Sequence, residues 1–328
     1  MTTAVNVDIR TDWQGRSLPA LVLARSGDTD LPQWIAEHPG EVQRLSRTAG
    51  AVLLRGFRVT DPAGFHAVMR ALSSRILDYG ERSSPRTLVS EGVYTSTEYP
   101  PEERIVAHNE QSYTIDWPTL IVFFCQQPPT RQGRTPLVDS RRVLARLDPD
   151  TVERFRRTGV RYVRNYLPGI SLPWREAFQT DSRADVDEYC RRAEIDAEWV
   201  SDDQLRTVQV RPAIRAHPET GEETWFNHAH FFHVSSLPDE VSAGLLVALD
   251  EEDLPYNTYY GDGAPIEPDV LAKIRAAIDA ETVAFDWQQG DVLVVDNMIT
   301  AHAREPFEGP RRILTAMSDP ISTVEGRS

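Results

Sequence analysis

A histidine and a glutamate stand two positions apart in the stretch 105–113, at His108 and Glu110. On a β-strand, residues two apart point to the same face, so this pair can present an imidazole and a carboxylate to one metal ion. Alone, the pair fits an exposed strand end equally well. A further histidine, His302, follows a hydrophobic run far along the chain. Two histidines and one carboxylate can form the facial site of non-haem Fe(II) oxygenases, which leaves positions open for a co-substrate and O₂.

Arg311 comes a few positions after His302 and opens a strand-like run. Its guanidinium can form two parallel hydrogen bonds with a carboxylate. On that strand Arg311 shares one face with Ile313 and Thr315, whereas Arg312 points to the other face. This parity favours Arg311 over Arg312 as the partner of an anionic co-substrate. An acidic chain that binds an anion must gather arginine locally in this way.

A second histidine cluster, His228, His230 and His233, lies in the stretch 225–233. An H-x-H pair on a strand is itself a candidate ligand pair for iron or zinc. Histidines among aromatic residues more often line a pocket or form local hydrogen bonds. We therefore favour a substrate-side role for this cluster, through His228 first. Asn227, which ends the preceding apolar run, is either a substrate contact or a simple turn residue.

Three more polar side chains are candidates for substrate contact. Ser96 and Glu98 lie in the stretch 94–100, just before the first ligand pair, and Tyr259 lies in the glycine-containing stretch 257–263. Each of these stretches also fits an ordinary turn.

The elements that must position these residues are short strands and scattered helices. Strand-like runs rich in Val, Ile, Phe and Tyr occur at residues 51–57, 120–126, 160–166, 207–214, 223–227, 282–287, 291–297 and 312–317. Helix-like runs with apolar spacings of three and four occur at residues 61–76, 140–147, 148–159, 183–193 and 267–281. Because the two kinds do not alternate regularly, the sequence predicts a mainly β protein, a sandwich or jelly roll with helices packed outside.

The composition is that of a folded, acidic protein. The chain has 328 residues, of which 40% are hydrophobic, and no repeat or linker divides it, so we expect one domain over residues 1–328. The formal net charge of -15 argues against a nucleic-acid or membrane-surface role. Two cysteines do not make a disulfide framework, and the N-terminal stretch lacks the pattern of a signal peptide. With no apolar run long enough to span a membrane, we expect a cytoplasmic protein.

In its motifs the sequence resembles the taurine/2-oxoglutarate dioxygenase family of Fe(II)- and 2-oxoglutarate-dependent oxygenases. Within that family it is most similar to the branch that includes the syringomycin-pathway aspartyl β-hydroxylase. The resemblance covers most of the chain and implies a double-stranded β-helix. It rests on these stretches, in order: AVLLRGF (51–57), AHNEQSY (107–113), GRTPLVDSRRV (133–143), HPETGEETWFN (217–227), GDVLVVDN (290–297) and AHAREPFEGPRR (301–312).

The resemblance implies a role for each matching residue. His108, Glu110 and His302 would hold Fe(II), Thr135 would lie beside 2-oxoglutarate, and Arg311 would pair with a carboxylate of that co-substrate. Most members have Asp where this chain has Glu110, although the most similar branch also has Glu. Halogenating relatives have Ala or Gly there, which frees a site for chloride. The carboxylate of Glu110 therefore favours hydroxylation.

The implied reaction is hydroxylation of an unactivated C–H bond in an amino acid or an amino-acid-derived intermediate of specialised metabolism. That small-molecule substrate is either free or tethered to a carrier protein. Desaturation or cyclisation on the same scaffold uses the same ligands and stays an alternative. A non-catalytic jelly-roll binding protein is disfavoured because the ligand set is intact. The sequence does not decide between a monomer and a homo-oligomer.

Overall fold

The computed structural model describes residues 7–77, 81, 87–96 and 99–322 of the chain. Glu98, one of the candidates for substrate contact, lies outside these residues. Within them, strands are more numerous than helices. Among the same residues, no helix is long and apolar enough to cross a membrane.

The described strands follow one another in this order: β1 (Val7–Arg10), β2 (Ala20–Ala24), β3 (Ala51–Arg55), β4 (Ile76–Leu77), β5 (Leu88–Ser90), β6 (Val93–Thr95), β7 (Ile105–His108), β8 (Asp116–Gln127), β9 (Arg131–Gln132), β10 (Leu137–Asp139), β11 (Val160–Tyr166), β12 (Asp196–Trp199), β13 (Leu205–Arg211), β14 (Ile214–Ala216), β15 (Glu223–Trp225), β16 (Tyr256–Tyr260), β17 (Thr282–Val283), β18 (Val292–Asp296), β19 (Thr300–Arg304), β20 (Phe307–Glu308) and β21 (Arg312–Ser322). The two longest, β8 and β21, pair with each other in antiparallel fashion.

The described α-helices are α1 (Leu31–Glu37), α2 (Glu41–Ala49), α3 (Pro62–Leu72), α4 (Ser140–Arg146), α5 (Pro149–Thr158), α6 (Trp174–Phe178), α7 (Arg183–Arg192), α8 (Asp239–Ala248) and α9 (Pro268–Glu281). Helices α1, α3 and α5 begin in the same way, with an aspartate cap and a proline in the first turn. The carboxylates of Asp30, Asp61 and Asp148 accept backbone N–H groups that the helix itself cannot satisfy. The proline has no N–H to satisfy there.

The largest sheet has the strand order β1-β2-β3-β18-β8-β21-β6-β5, and β4 pairs with β21. Its centre is formed by β3, β18, β8 and β21, which arise from four of the predicted apolar runs. The middle residues of these strands are buried. One face packs against α1, α2 and α3 through a core that includes Trp34, Phe65 and Phe124.

A smaller sheet, with the order β17-β10-β19-β7, lies against the other face of the large one. The apolar layer between the sheets includes Phe123, Leu137, Leu293 and Ile313, which come from both. The outer face of the small sheet packs on α4, α5 and α9 and on β11. The result is the two-sheet core with helices outside that the sequence predicts.

Three predicted strands differ from the observed ones, each for a local reason. The run 207–214 divides into β13 and β14, because Pro212 between them has no N–H for a ladder hydrogen bond. The run 223–227 ends at Trp225, since Asn227 binds backbone groups around a turn. In the run 282–287 only the first two residues pair. Phe285 and Trp287 are buried between the sheets as an irregular segment, so their alternation reflects packing and not a ladder.

Candidate active site

His108 and His302 lie side by side on the small sheet. They are direct partners in the register of β7 and β19, and their ring centroids are 4.5 Å apart. Alternation along each strand turns both rings toward the large sheet, while Ala107, Ala301 and Ala303 face the opposite core. The strand pairing therefore brings together two histidines that are far apart in the sequence.

The imidazole of His108 is oriented by its own strand. Its Nδ1 lies 2.9 Å from the carbonyl oxygen of Val106. Since a carbonyl can only accept, Nδ1 carries the proton, and the lone pair lies on Nε2. A backbone carbonyl that fixes the tautomer in this way is the usual neighbour of a metal-binding histidine.

Glu110 reaches the two histidines from a turn and not from the strand, so the predicted shared strand face is wrong. Strand β7 ends at His108, and Gln111 has a positive φ of 55°. Asn297, fully buried at the end of β18, holds this turn: its Oδ1 accepts the Glu110 N–H at 2.7 Å, and its Nδ2 donates to the Glu110 carbonyl at 2.9 Å.

The same amide extends the support of the turn. Asn297 Nδ2 also donates to the carbonyl of Pro118 on β8, at 2.9 Å, and Asn109 Nδ2 donates to the Asn297 carbonyl at 2.7 Å. Asn109 therefore points away from the ligands. Asn297 is a positioning residue that sequence reasoning missed. Its signal was its place directly after the Asp296 that ends an apolar strand.

The ligand atoms of His108, Glu110 and His302 all lie within 4.8 Å of one another. The three residues are only 8%, 5% and 6% exposed. Two imidazole nitrogens and one carboxylate oxygen at this spacing fit a single Fe(II) ion with open coordination positions. Among the described residues, this is the one group of three or more His, Cys, Asp or Glu side chains with that spacing.

The histidine cluster at His228, His230 and His233 does not form a second metal group within the described part of the chain. The segment is a turn after β15, so the H-x-H pair lacks the strand geometry that would aim both rings one way. His233 bonds locally instead, with its Nδ1 2.7 Å from the hydroxyl of Ser235. Among the described residues, the candidate metal group is therefore the one at the sheet.

A cavity opens beside His108 and His302, between the two sheets. It is lined by Ser96, Ile105, His108, Phe123, Thr135, His302, Ala303, Arg304, Arg311 and Ile313. Three predicted residues, Ser96, Thr135 and Arg311, thus share one space with two of the predicted metal ligands. Two guanidinium groups line this cavity although the chain as a whole is strongly acidic. That local excess of positive charge is suited to a dicarboxylate.

Arg311 and Arg312 have different surroundings. Arg311 is partly buried in the cavity, its Nε donates to the carbonyl of Gly133 at 3.1 Å, and its remaining N–H groups can meet a ligand. Burial, together with the charge of Arg304, lowers the pKa of Arg311 to about 10. Arg312 is exposed at the surface. Arg311, which the alternation of side chains along the strand favoured over Arg312, is therefore the arginine that lines the cavity.

Arg304 was not among the predicted residues. It is buried, lines the cavity, and donates to the backbone carbonyls of Tyr99, Pro100 and Glu103 at 2.7–3.0 Å. These bonds hold the segment that leads into β7. Thr135 is fixed in a similar way, since its hydroxyl accepts the indole N–H of Trp287 at 3.1 Å.

His228 lies on the other side of His108, with ring centroids 5.8 Å apart. It is buried among Tyr113, Phe231 and Phe232 at centroid distances of 4.9–5.0 Å. Its Nδ1 and the hydroxyl of Ser112 share a hydrogen bond of 2.6 Å. Burial holds the pKa of His228 well below its usual value, with further lowering by the nearby histidines, so the ring is neutral.

Two other candidates for substrate contact, Asn227 and Tyr259, form hydrogen bonds within the protein and do not line the cavity. The amide of Asn227 donates to the Ala213 carbonyl and accepts the Ala229 N–H, which fits the turn residue that the sequence left open. Tyr259 lies on β16, at the edge of the sheet β12-β13-β11-β16, and its hydroxyl donates to Glu251 at 2.9 Å. Neither residue lines the cavity beside the histidines.

Replacing Asn297 with alanine is expected to loosen the Glu110 turn. The change leaves buried backbone groups without partners, which costs about 1–3 kcal/mol for each such group. Loss of a residue that orients a ligand weakens metal affinity by about 10–100-fold. Calorimetric titration with Mn(II) and thermal unfolding measure both effects.

The matched control is Asn165→Ala. Asn165 is also buried, and its amide also donates to two backbone carbonyls, at 2.8 and 2.7 Å, but it lies on β11. That variant should lose stability and keep the metal affinity of the wild type. Equal metal affinities for Asn297→Ala and the wild type would contradict the positioning role.

A jelly-roll core with two histidines and a carboxylate on its inner face, next to an arginine-lined cavity, defines the class of Fe(II)- and 2-oxoglutarate-dependent oxygenases. A family model described as taurine catabolism dioxygenase TauD, TfdA family matches residues 14–317. The chain belongs to this family. Membership confirms the predicted resemblance, fold, enzyme class and use of Fe(II), 2-oxoglutarate and O₂. It speaks against a non-catalytic binding protein.

Two curated relatives and two solved structures cover nearly the whole chain. The dapdiamide synthesis protein DdaC of Enterobacter agglomerans is 40% identical over 314 residues, 96% of this chain and 95% of its own. A clavaminate synthase-like protein of Arabidopsis thaliana is 28% identical over 324 residues, 93% of this chain and 94% of its own.

The structural likenesses are those of fold. PvcB from Pseudomonas aeruginosa has a TM-score of 0.56 at 17% identity, over 95% of this chain and 91% of its own. AAD-2, solved with Mn(II) and N-oxalylglycine, has a TM-score of 0.52 at 15% identity, over 97% of this chain and 99% of its own.

Proposed function

We propose that this dioxygenase hydroxylates an unactivated C–H bond of an amino acid or an amino-acid-derived intermediate in specialised metabolism. The observation that carries the proposal is the group His108, Glu110 and His302, whose ligand atoms lie within 4.8 Å of one another beside the arginine-lined cavity. In this proposal these three side chains hold Fe(II). One carboxylate and two neutral imidazoles leave part of the ion's charge uncompensated, which favours an anionic co-substrate.

Arg311 and Thr135 are proposed to bind the 2-oxoglutarate carboxylate that lies away from the metal. The two residues line the cavity together with His302, so one molecule can reach both ends. A guanidinium that is partly buried gains more from a carboxylate than an exposed one, because less water competes for the charge. Arg304 donates to three backbone carbonyls. It therefore shapes the cavity and adds positive charge to it.

When bound, Fe(II) would activate O₂ for attack on an unactivated C–H bond, and 2-oxoglutarate would supply two of the electrons that reduce O₂. The overall reaction balances: O₂ takes two electrons from 2-oxoglutarate, which becomes succinate and CO₂, and two from the C–H bond. One oxygen atom enters succinate and the other enters the alcohol. The protein contributes the burial of the ligand residues, which keeps bulk water away from the reacting atoms.

The substrate is proposed to lie on the side of His228 and Phe231, across His108 from the co-substrate cavity. A neutral, buried imidazole can donate or accept a hydrogen bond without a charge, and the aromatic rings around it suit an apolar part of the substrate. An amino-acid-derived substrate is supported by the name of the relative DdaC, a dapdiamide synthesis protein. PvcB is described as an oxygenase from an isonitrile synthetic pathway, which also supports specialised metabolism.

The test is succinate release with Fe(II), 2-oxoglutarate and O₂ across free amino acids and amino acids loaded on a carrier protein. We expect at least one substrate, either a free amino acid or a carrier-loaded one, to raise succinate formation well above the substrate-free rate. Its product should be heavier by one oxygen atom. Because Glu110 supplies a carboxylate ligand, the same product should form when chloride is added. A product lighter by two hydrogens would instead assign the desaturation or cyclisation alternative. Absence of succinate with every substrate would overturn the proposal.

A variant at His228 tests the substrate side separately. His228→Ala should keep Mn(II) affinity and the slow substrate-free turnover of 2-oxoglutarate, because it contributes no ligand atom to the metal group. It should lose substrate-stimulated turnover by about tenfold or more, the effect of removing one buried polar contact. An unchanged response to substrate would place the substrate elsewhere.

We infer one catalytic domain over residues 1–328, because a single family model spans residues 14–317. A cytoplasmic location stays a prediction of the sequence, which leaves open whether the substrate is tethered to a carrier protein and whether the chain forms a homo-oligomer.

A further inference from the structure

A second cavity, of about 310 Å³, lies away from the active site and shares no lining residue with it. Its walls come from β8, β14, the turn after β18 and the end of β21. The lining residues are Trp117, Pro212, Ile214, Arg215, Ala216, Pro218, Met298 and Ile321. The volume falls near the lower end of small-molecule sites, which span roughly 300–1,000 Å³.

Arg215 is the one charged side chain in this otherwise apolar lining. Its guanidinium stacks on Trp117, with the central carbon 4.3 Å from the ring centroid. Its Nε is buried and has no hydrogen-bond partner within the described residues. Burial lowers the pKa of Arg215 to about 10. A desolvated cation in this state is costly unless an anion completes it.

Other buried or partly buried arginines have partners within the protein: Arg55 and Arg164 pair with carboxylates, and Arg211 and Arg304 donate to backbone carbonyls. Arg55 pairs with Asp291 at 2.6 Å, and Arg164 pairs with Glu81 at 2.5 Å. Arg311, the proposed 2-oxoglutarate partner, is the arginine that Arg215 resembles: both line a cavity, both are desolvated, and the structure shows no carboxylate paired with either among the described residues. Arg215 therefore has the surroundings of a ligand-binding arginine.

A second donor lies in the same wall. The indole Nε1 of Trp117 is buried and, in the part of the chain that the structure describes, also lacks a hydrogen-bond partner. Native proteins leave few buried N–H groups without a hydrogen-bond partner, and a water or a bound ion is one partner that can satisfy them. A single guanidinium balances one negative charge, whereas Ile214, Met298 and Ile321 offer only apolar contact.

We propose that this cavity is a second binding site for a small carboxylic acid with an apolar body. The carboxylate would pair with the guanidinium of Arg215, and the apolar body would lie against Ile214, Met298 and Ile321. The proposed site is separate from the cavity at the metal group, because the two cavities have no lining residue in common.

The test is calorimetric titration of the anaerobic enzyme with saturating Fe(II) and 2-oxoglutarate, so that Arg311 is already occupied. The probes are benzoate, phenylacetate and hexanoate, with benzamide as the uncharged match of benzoate. We expect at least one carboxylate to bind the wild type, and Arg215→Gln to bind it at least about tenfold more weakly, since a hydrogen bond to a charged group is worth about 1.5–3 kcal/mol. Arg191→Gln, at an exposed arginine paired with Glu188, should match the wild type.

Thermal unfolding without any probe separates a binding role from a structural one. Arg215→Met should unfold at the same or a higher temperature than the wild type, because it removes a partly buried cation that pairs with no carboxylate among the described residues. A lower unfolding temperature would assign Arg215 a structural role and overturn the proposal. So would the failure of all three carboxylates to bind the wild type. Binding that appears only after deletion of residues 323–328 would mean that the chain itself fills the cavity, which would also overturn it.

Discussion

Replacing His302 with alanine is expected to abolish catalysis and most of the metal affinity. The side chain contributes one of three ligand atoms that lie within 4.8 Å of one another, and alanine leaves a buried carboxylate beside a single imidazole. Loss of a residue that only orients a ligand costs about 10–100-fold in affinity, so loss of the ligand itself should exceed about 100-fold. Anaerobic addition of Fe(II) and 2-oxoglutarate gives the readout, since the wild type should show a visible charge-transfer band that the variant lacks.

His233→Ala is the matched control, because it removes a histidine of the competing cluster. His233 is partly buried and bonds to Ser235, away from the metal group. The control should keep the band and the rate of succinate formation. Loss of the band in His233→Ala with retention in His302→Ala would move the metal site to the cluster 228–233 and contradict the assignment.

Replacing Arg311 with glutamine is expected to weaken 2-oxoglutarate binding strongly without changing the metal group. Glutamine keeps a polar side chain of similar shape but removes the charge and the paired N–H groups. Truncating one partner of a buried charge pair costs about 2–5 kcal/mol, which corresponds to a rise in the KM for 2-oxoglutarate of roughly 30-fold or more. Steady-state succinate formation at varied 2-oxoglutarate measures that rise, and Mn(II) affinity should not change.

Arg312→Gln provides the comparison at the adjacent position, where the side chain is exposed. Its KM for 2-oxoglutarate should stay within about twofold of the wild type, as expected for a surface arginine. If Arg312→Gln raised the KM and Arg311→Gln did not, the assignment of the two arginines would be reversed.

Local patterns in the sequence predicted the central strands well. The run 160–166 coincides with β11, the runs 120–126 and 312–317 lie in β8 and β21, and the first five residues of the run 51–57 form β3. These runs are buried on both faces or alternate cleanly, so apolar content alone identifies them. Helices α3, α5 and α9 could be predicted equally well from the sequence. Proline is the first residue of each helix, and apolar residues recur at helical spacing.

The sequence could not predict contacts that depend on distant residues. Asn297 supports the Glu110 turn across the fold, and Arg304 holds the carbonyls of a segment two hundred positions earlier, so neither role is visible in a local window. The strand expected to carry both His108 and Glu110 ends at His108 for the same reason. The structure places Glu110 near the two histidines with which its residue type grouped it, but its position in a turn depends on Asn297.

That turn has a consequence for redesign of the enzyme. Because Glu110 is clamped through its backbone N–H and carbonyl, its side chain contributes nothing to the ladder between β7 and β19. We therefore expect that the Glu110 carboxylate can be replaced by another group while the imidazoles of His108 and His302 keep their spacing. A laboratory that wishes to vary the chemistry of this centre should start at Glu110 and leave Asn297 untouched.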